Sequence, residues 1–366
     1  MSGRDPLRWR VIDTGLRRAA ENMALNRAML EAHEQGAIPH TLRFLRFEPS
    51  ALLGFHQNVE QELRLDYCRE QGIAVQRRIT GGGALYFDQT QIGWELYLDK
   101  RFLGTADMTE ISRRICEAAA DGIRRLGVDA RFRPRNDIEV DGRKISGTGG
   151  AFDGDSILFQ GTLLVEFDVE KMLRVLKIPA EKLSDKAIAS ARERVANLAE
   201  LLGAAPALSD VQKQMTGAFA DAFGVEFDET RDLSGVEQTL YRGALAEIDT
   251  DEWVFQHNLP DCDAPLRAGL HRGPGGLMRA HVAVDQPRGR IRQLWITGDF
   301  FVNPRRMVPD LEAALRDTPV DALRENVQRF FEAYPVEMLM VTRDDFVAVI
   351  EDALSQSEPG IIAGVS

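Results

Sequence analysis

Asn136-Asp137-Ile138-Glu139-Val140-Asp141-Gly142-Arg143-Lys144-Ile145-Ser146-Gly147-Thr148-Gly149-Gly150 is the stretch on which the fold turns. Residues 138–140 and 144–146 are two short strand-like runs. Asp141-Gly142 between them is a strong hairpin signal, because both central residues of such a turn adopt positive φ. An antiparallel pair is expected, with Lys144 on its second strand. A lysine there can stabilise charge growing on an acyl carbonyl and a phosphate; a lone lysine is otherwise an ordinary surface residue. Asn136-Asp137 opens the first strand. Such a pair commonly caps a turn, and it also suits a nucleotide or its magnesium. Residues 131–144 hold five basic and three acidic side chains, a local excess that fits an anion pocket.

Outward from this hairpin the pattern alternates strands and helices. Residues 9–13 read as a strand and 16–33 as a helix. Residues 41–47 alternate apolar and polar side chains, as a half-buried strand does. Further strands are expected at 51–55, 73–75, 85–87, 92–98 and 157–165. Helices are expected at 63–71, 109–126, 168–202 and 210–223. From about Ser234 the chain reads as a smaller unit, with strands at 277–285 and 290–297 and helices at 322–333 and 344–354. Residues 355–366 read as a loose tail.

Between two of the early strands lies Arg77-Arg78-Ile79-Thr80-Gly81-Gly82-Gly83-Ala84. Consecutive glycines permit positive φ and close approach of backbone to a ligand. Their N–H groups can form a concave anion site, to which the two arginines add charge. A plain glycine-rich hairpin turn would read the same way. No G-x-x-x-x-G-K-[ST] loop occurs.

Composition narrows the class. The 366 residues suggest about two domains. A net charge of −12 argues against a general nucleic-acid binder. No apolar run approaches the ~18 residues of a membrane span. The first residues carry no signal-peptide core, so a cytoplasmic location is expected. Cys68, Cys116 and Cys262 are far apart and odd in number, which speaks against a disulfide framework or a structural zinc site. Each reads as a core or incidental cysteine.

Four motifs in order make the reading specific: Arg78-x-x-Gly-Gly-Gly-Ala, Arg135-Asn-Asp-Ile-x-Val-x-Gly-x-Lys-Ile-Ser-Gly, Gln160-Gly-Thr-Leu-Leu, and Lys182-Leu-x-x-Lys186 with Ser190-x-x-x-Arg194-Val-x-Asn197-Leu. Over residues 7–205 the chain resembles the lipoate–protein ligase family. Gly275-Gly276, Gly289-x-Ile291 and Asp299 are similar, more weakly, to that family's C-terminal accessory domain.

The resemblance implies an α/β (α+β) fold: a mixed, largely antiparallel sheet flanked by helices, like class II synthetases and biotin ligases, with a smaller α+β C-terminal domain. It implies a catalytic unit at 1–235 and an accessory unit at 236–366. It implies ATP and Mg2+ as cofactors and lipoate as substrate, joined as lipoyl-AMP with loss of pyrophosphate. The lipoyl group then passes to a lysine of a lipoyl-domain acceptor protein: a 2-oxoacid dehydrogenase subunit, a glycine-cleavage carrier protein or a sulfur-oxidation lipoate-binding protein. Neither nucleic acid nor membrane is an expected partner, and a monomer is expected.

Position by position, the resemblance makes Lys144 the catalytic residue, contacting acyl carbonyl and α-phosphate. Arg78, Thr80, Gly81, Gly82 and Gly83 line the lipoate tunnel, and Ala84, Leu85 and Tyr86 continue its wall. Met23 packs on the lipoyl chain. Gly147, Gly161 and Thr162 lie across the pocket. Asn136 and Asp137 contact the nucleotide, with Asp137 toward magnesium. Lys182 and Lys186 fall in a segment that closes over the adenylate.

The chain departs from the family at Phe87 and at Phe159-Gln160, where histidines are common, and at Ala187-Ile188-Ala189-Ser190. Rival readings are an ATP-independent octanoyl or lipoyl transferase of the same fold, and a non-catalytic binder of lipoyl domains or nucleotide. The cysteine-type transferases place their nucleophile near residues 133–137, where this chain has none.

Overall fold

The computed structural model describes residues 7–105, 107–134, 136–177, 185–259 and 264–356. In chain order, the first elements are β1 (Leu7–Arg17), α1 (Ala19–Glu34), β2 (Thr41–Phe47), β3 (Ser50–Leu53), α2 (Val59–Glu62), α3 (Leu65–Glu70), β4 (Ala74–Arg77), β5 (Leu85–Phe87) and β6 (Gln91–Asp99). Next come α4 (Met108–Arg124), β7 (Arg131–Arg133), β8 (Asp137–Val140), β9 (Arg143–Asp153) and β10 (Ser156–Leu164). They are followed by α5 (Val169–Val175), α6 (Asp185–Arg192), α7 (Leu198–Leu202), α8 (Leu208–Phe223) and β11 (Val225–Thr230). The rest comprises α9 (Gly235–Ile248), α10 (Asp251–Phe255), β12 (Leu266–Gly273), β13 (Gly276–Asp285), β14 (Arg290–Gly298) and β15 (Phe301–Asn303). It closes with α11 (Met307–Ala314), α12 (Leu323–Ala333), β16 (Glu337–Leu339) and α13 (Arg343–Ser355).

Eight strands form one sheet in the order β11-β1-β2-β6-β10-β9-β8-β7. β1 runs parallel to both β2 and β11, and the remaining pairs are antiparallel. The sheet is thus mixed and flanked by helices. A parallel pair needs a crossover, and α1 supplies it between β1 and β2. A small second sheet, β4-β3-β5, holds the glycine loop between its strands β4 and β5.

The Asp141-Gly142 hairpin forms, with φ of +51° and +77° at its two turn residues and Val140 opposite Arg143. β1 is longer than expected, so residues 16 and 17 extend it instead of opening the helix. The run 168–202 splits into α5, α6 and α7, and 63–71 begins later, after the separate short helix α2.

One core lies under the main sheet, between it and α4 and α8; Trp94, Ile115 and Phe219 are fully buried there. A second core covers the other face with α1, which carries buried Met23, Ala24 and Met29. Helix α9 packs along α1. Ser234 and Glu237 form its capping box, and Glu237 also takes two hydrogen bonds from the buried Arg10 of β1 (2.9 and 2.5 Å). The helix that follows Ser234 therefore lies on the first unit. A separate core begins with β12-β13-β14, covered by α11, α12 and α13, around Phe300, Val327 and Phe346.

The two units meet at the glycine loop. Gly82 N–H donates to Phe300 O at 3.4 Å, and Gly298 N–H to His56 O at 3.0 Å. Arg279 pairs with Glu62 at 2.6 Å. No described helix is long and apolar enough to cross a membrane.

Candidate active site

A single cleft of about 1700 Å³, its open mouth included, runs between the glycine loop and the β9-β10 face of the main sheet. Met23, Arg78, Thr80, Gly81, Gly82, Gly83, Ala84, Leu85 and Tyr86 line it, as do Asn136, Lys144, Gly147, Gly161 and Thr162. The lysine and the triple glycine thus face one space. Lys182 lies outside the described residues, as does the side chain of Lys186.

Lys144 follows the hairpin turn on β9. Its backbone is held from the far side: its N–H donates to Arg194 O, and Ala196 N–H donates to its carbonyl, both at 2.8 Å. The segment at 194–197 is pinned in turn by Asn197, whose amide exchanges two hydrogen bonds with the backbone of Phe167. That is the local role of the Arg194-Val-x-Asn197 motif. The Lys144 Nζ stands 2.7 Å from Asp137 Oδ1, and the lysine side chain is about 39% exposed. The other Asp137 oxygen accepts from Arg133 Nη2 at 2.6 Å. A magnesium ion bound directly to Asp137 would have to displace one of these cations. Asn136 Nδ2 donates to Thr148 O at 2.7 Å, which ties the start of β8 to β9.

Arg78 is buried, and its contacts shape the loop. It donates to Leu52 O, Gly81 O and Gly83 O at 2.9–3.0 Å and to Thr80 Oγ1 at 3.3 Å. Burial lowers its pKa to about 10. Arg77 does not add charge to the cleft. It is wholly buried and donates to the carbonyls of Gly54, Phe55, Gln57, Trp253 and Val254.

The glycines serve two purposes. A Cβ on Gly81 would come within 2.3 Å of Phe300 O, and one on Gly82, which has φ of +92°, within 2.7 Å of the Phe301 ring. The loop is therefore also the seat of the second unit, and the Gly82 N–H expected in an anion nest is used by Phe300. Gly161 answers to the core: a Cβ there would meet the Trp94 indole at 2.2 Å. Gly147 leaves room for Lys144, whose Nζ would lie 2.7 Å from an added Cβ.

Residues beyond sequence reasoning complete the cleft. Asp299, Phe301 and Met340 come from the second unit, and Glu95 from β6. Asp299 had a signal in the weaker C-terminal match, as did Gly275 and Gly276, which also line the cleft. Phe87 packs on Phe47 with ring centroids 4.5 Å apart. Phe159 turns into the core beside Trp94, while Gln160 faces the cleft.

Cys68 and Cys116 are buried, and burial pushes the Cys116 thiol up to about 12. Cys262 lies outside the described residues. Among the described residues no group of three His, Cys, Asp or Glu could hold a metal ion.

Residues 18–220 match the lipoyl protein ligase A/B catalytic domain. Lipoate-protein ligase A subunit 1 of Thermoplasma acidophilum is 31% identical over 243 residues, covering 63% of this chain and 90% of its own. The octanoyltransferase LipM of Kyrpidia tusciae is 28% identical over 272 residues, covering 68% and 98%. A bipartite lipoate protein ligase of Thermoplasma acidophilum, solved in a study of that ligase and its E2 lipoyl domain, superposes with a TM-score of 0.62 at 28% identity, over 70% of this chain and all of its own. A lipoate-protein ligase A bound with ATP superposes at 0.60 with 28% identity, over 68% and 98%. With more than half its length inside the domain match, the chain belongs to the lipoyl protein ligase A/B catalytic-domain family and is an enzyme of the lipoate ligase and transferase group.

Proposed function

We propose that this enzyme is an ATP-dependent lipoate–protein ligase. The observation that carries the reading is the placement of the Lys144 amine and the Gly81-Gly82-Gly83 loop on one cleft. In the first step a lipoate carboxylate oxygen attacks the α-phosphorus of ATP. A P–O bond forms, pyrophosphate leaves, and lipoyl-AMP results. The Lys144 ammonium is placed to offset charge on the carboxylate and α-phosphate as it shifts. In the second step the ε-amine of an acceptor lysine attacks the acyl carbonyl. The C–O bond to AMP breaks, the amine loses its proton, and an amide remains. Both steps depend on positioning and charge stabilisation. Magnesium is assigned to the ATP phosphates. The acceptor is a lipoyl-domain protein, as the relative solved with its E2 lipoyl domain supports, and the ATP-bound relative supports the nucleotide.

The rival reading is the ATP-independent transferase, favoured by the likeness to an octanoyltransferase. A thioester route needs a reactive thiolate, and burial raises the pKa of both described cysteines. ATP–pyrophosphate exchange decides: lipoate-dependent exchange is expected, and its absence would favour the transferase.

A further inference from the structure

We infer that Asp137 is the post that holds the Lys144 ammonium over the cleft, serving the reaction through the lysine rather than through a metal ion. The inference deepens the proposed function and rests on it for what Lys144 does once held.

Strand register brings the pair together. β7 and β8 pair Arg133 with Asp137, and β8 and β9 pair Asp137 with Gly147 and Ile138 with Ser146. The register then slips by one: Glu139 stands opposite Lys144, and Ile145 is the extra residue on β9. In an unbroken strand Lys144 would share a face with Ser146, and Ile145 with Gly147. The bulge re-phases the strand, as bulges beside active sites do. Ile145 enters the core under the main sheet, while Lys144 and Gly147 both line the cleft.

Gly147 then sets the path of the lysine stem. An added Cβ there would stand 2.7 Å from both Cε and Nζ of Lys144. The stem therefore folds back across the glycine and brings Nζ to Asp137, the residue opposite that glycine, at 2.7 Å from Oδ1. Oδ1 is buried, so a ligand in the cleft meets the amine and not the carboxylate. Oδ2 accepts from Arg133 Nη2 at 2.6 Å, and Arg133 pairs in turn with Glu139 at 3.2 Å. Charges thus alternate from Glu139 through Arg133 and Asp137 to Lys144, whose ammonium faces the cleft. This arrangement leaves Asp137 no open oxygen for magnesium, the role its motif suggests.

A lysine stem free to rotate spreads its charge over many rotamers. The reaction needs that charge at one place as carboxylate and phosphate meet. Ion pairs at the surface add little stability, so the worth of this one lies in aim.

The test uses a non-hydrolysable sulfamoyl analogue of lipoyl-AMP. It is titrated calorimetrically into wild type, Asp137→Asn, Lys144→Met and the double variant, each first checked for a native unfolding transition, in EDTA and then in magnesium. In EDTA Asp137→Asn should weaken binding about tenfold, the scale of one hydrogen bond to a charged group. It should add nothing in the Lys144→Met background. A loss that persists without the lysine, or that shows only with magnesium, would overturn the inference. A second readout involves no catalysis or ligand. With the lysines methylated by a carbon-13 label, the Lys144 resonance is identified by its absence from Lys144→Met. It should stand apart from the other lysines in wild type and join them in Asp137→Asn. A resonance that Asp137→Asn leaves unmoved overturns the inference, whatever the exchange assay says of the ligase reading.

Discussion

The Phe301 ring lies over Gly82, so close that a Cβ on the glycine would stand 2.7 Å from Cζ. Phe301 also borders Gly149, whose added Cβ would lie 3.2 Å from the same ring. One aromatic side chain of the second unit thus bridges two of the motifs that define the cleft. The consequence is that glycine substitutions should be felt as loss of contact between units as well as loss of ligand space.

Gly82→Ala should lower stability in chemical unfolding, both from its φ of +92° and from the Phe301 contact. Adding Phe301→Ala should recover the steric part but not the backbone part, a coupling that a double-mutant cycle measures. Gly81→Ala meets the Phe300 carbonyl, which no side-chain truncation removes. If Phe301→Ala recovers nothing at Gly82, the seat described above is wrong.

Lys144→Ala should reduce acyl-adenylate formation by about 10²–10³-fold, as for loss of one preorganised charge contact. Its side chain is half-exposed, so unfolding midpoints should stay near wild type. Asp137→Asn keeps the amine while removing the negative charge of its 2.7 Å partner, and a smaller loss is expected. Near-normal exchange by the alanine variant would remove Lys144 from its role.

Changing Cys68, Cys116 and Cys262 together to alanine should leave ligation intact. The described thiols are buried and protonated at neutral pH, so they are poor nucleophiles. A folded but inactive triple variant, detected by mass spectrometry of an acceptor domain, would instead support a thioester route.

Stability should rise with pH between about 4 and 6.5. Burial, the main cause in each case, lowers His33 and His281 to about 4 and His257 to about 3, and pushes His56 well below 6.5. Through that window the unfolded chain binds more protons than the folded one, so each step up in pH favours the fold. Glu312, raised to about 7 by burial, acts in the opposite sense from 4.5 upward. Burial also raises Glu62 and Asp153 and lowers His40, so five lowered histidines outnumber three raised carboxyls. A flat or falling profile of urea midpoints across this range would contradict the assignment.

Sequence alone sufficed for features whose causes are local. The Asp141-Gly142 turn needs positive φ at neighbouring residues, and that constraint stands in the two residue types. Strands β2, β6 and β10 announced themselves by pattern. Tertiary structure decided what depends on partners distant in the chain. Arg77 and Arg78 are adjacent and alike in sequence, yet one ties the chain to α10 and the other shapes the glycine loop. Gly161 sits in a motif suggestive of ligand contact, and the nearby bulk is the Trp94 indole. The register that sets Gln160 beside Glu95 and the seating of Phe301 on Gly82 join residues 65 and 219 positions apart. Such pairings follow from strand order and the docking of whole units, which side-chain periodicity does not encode.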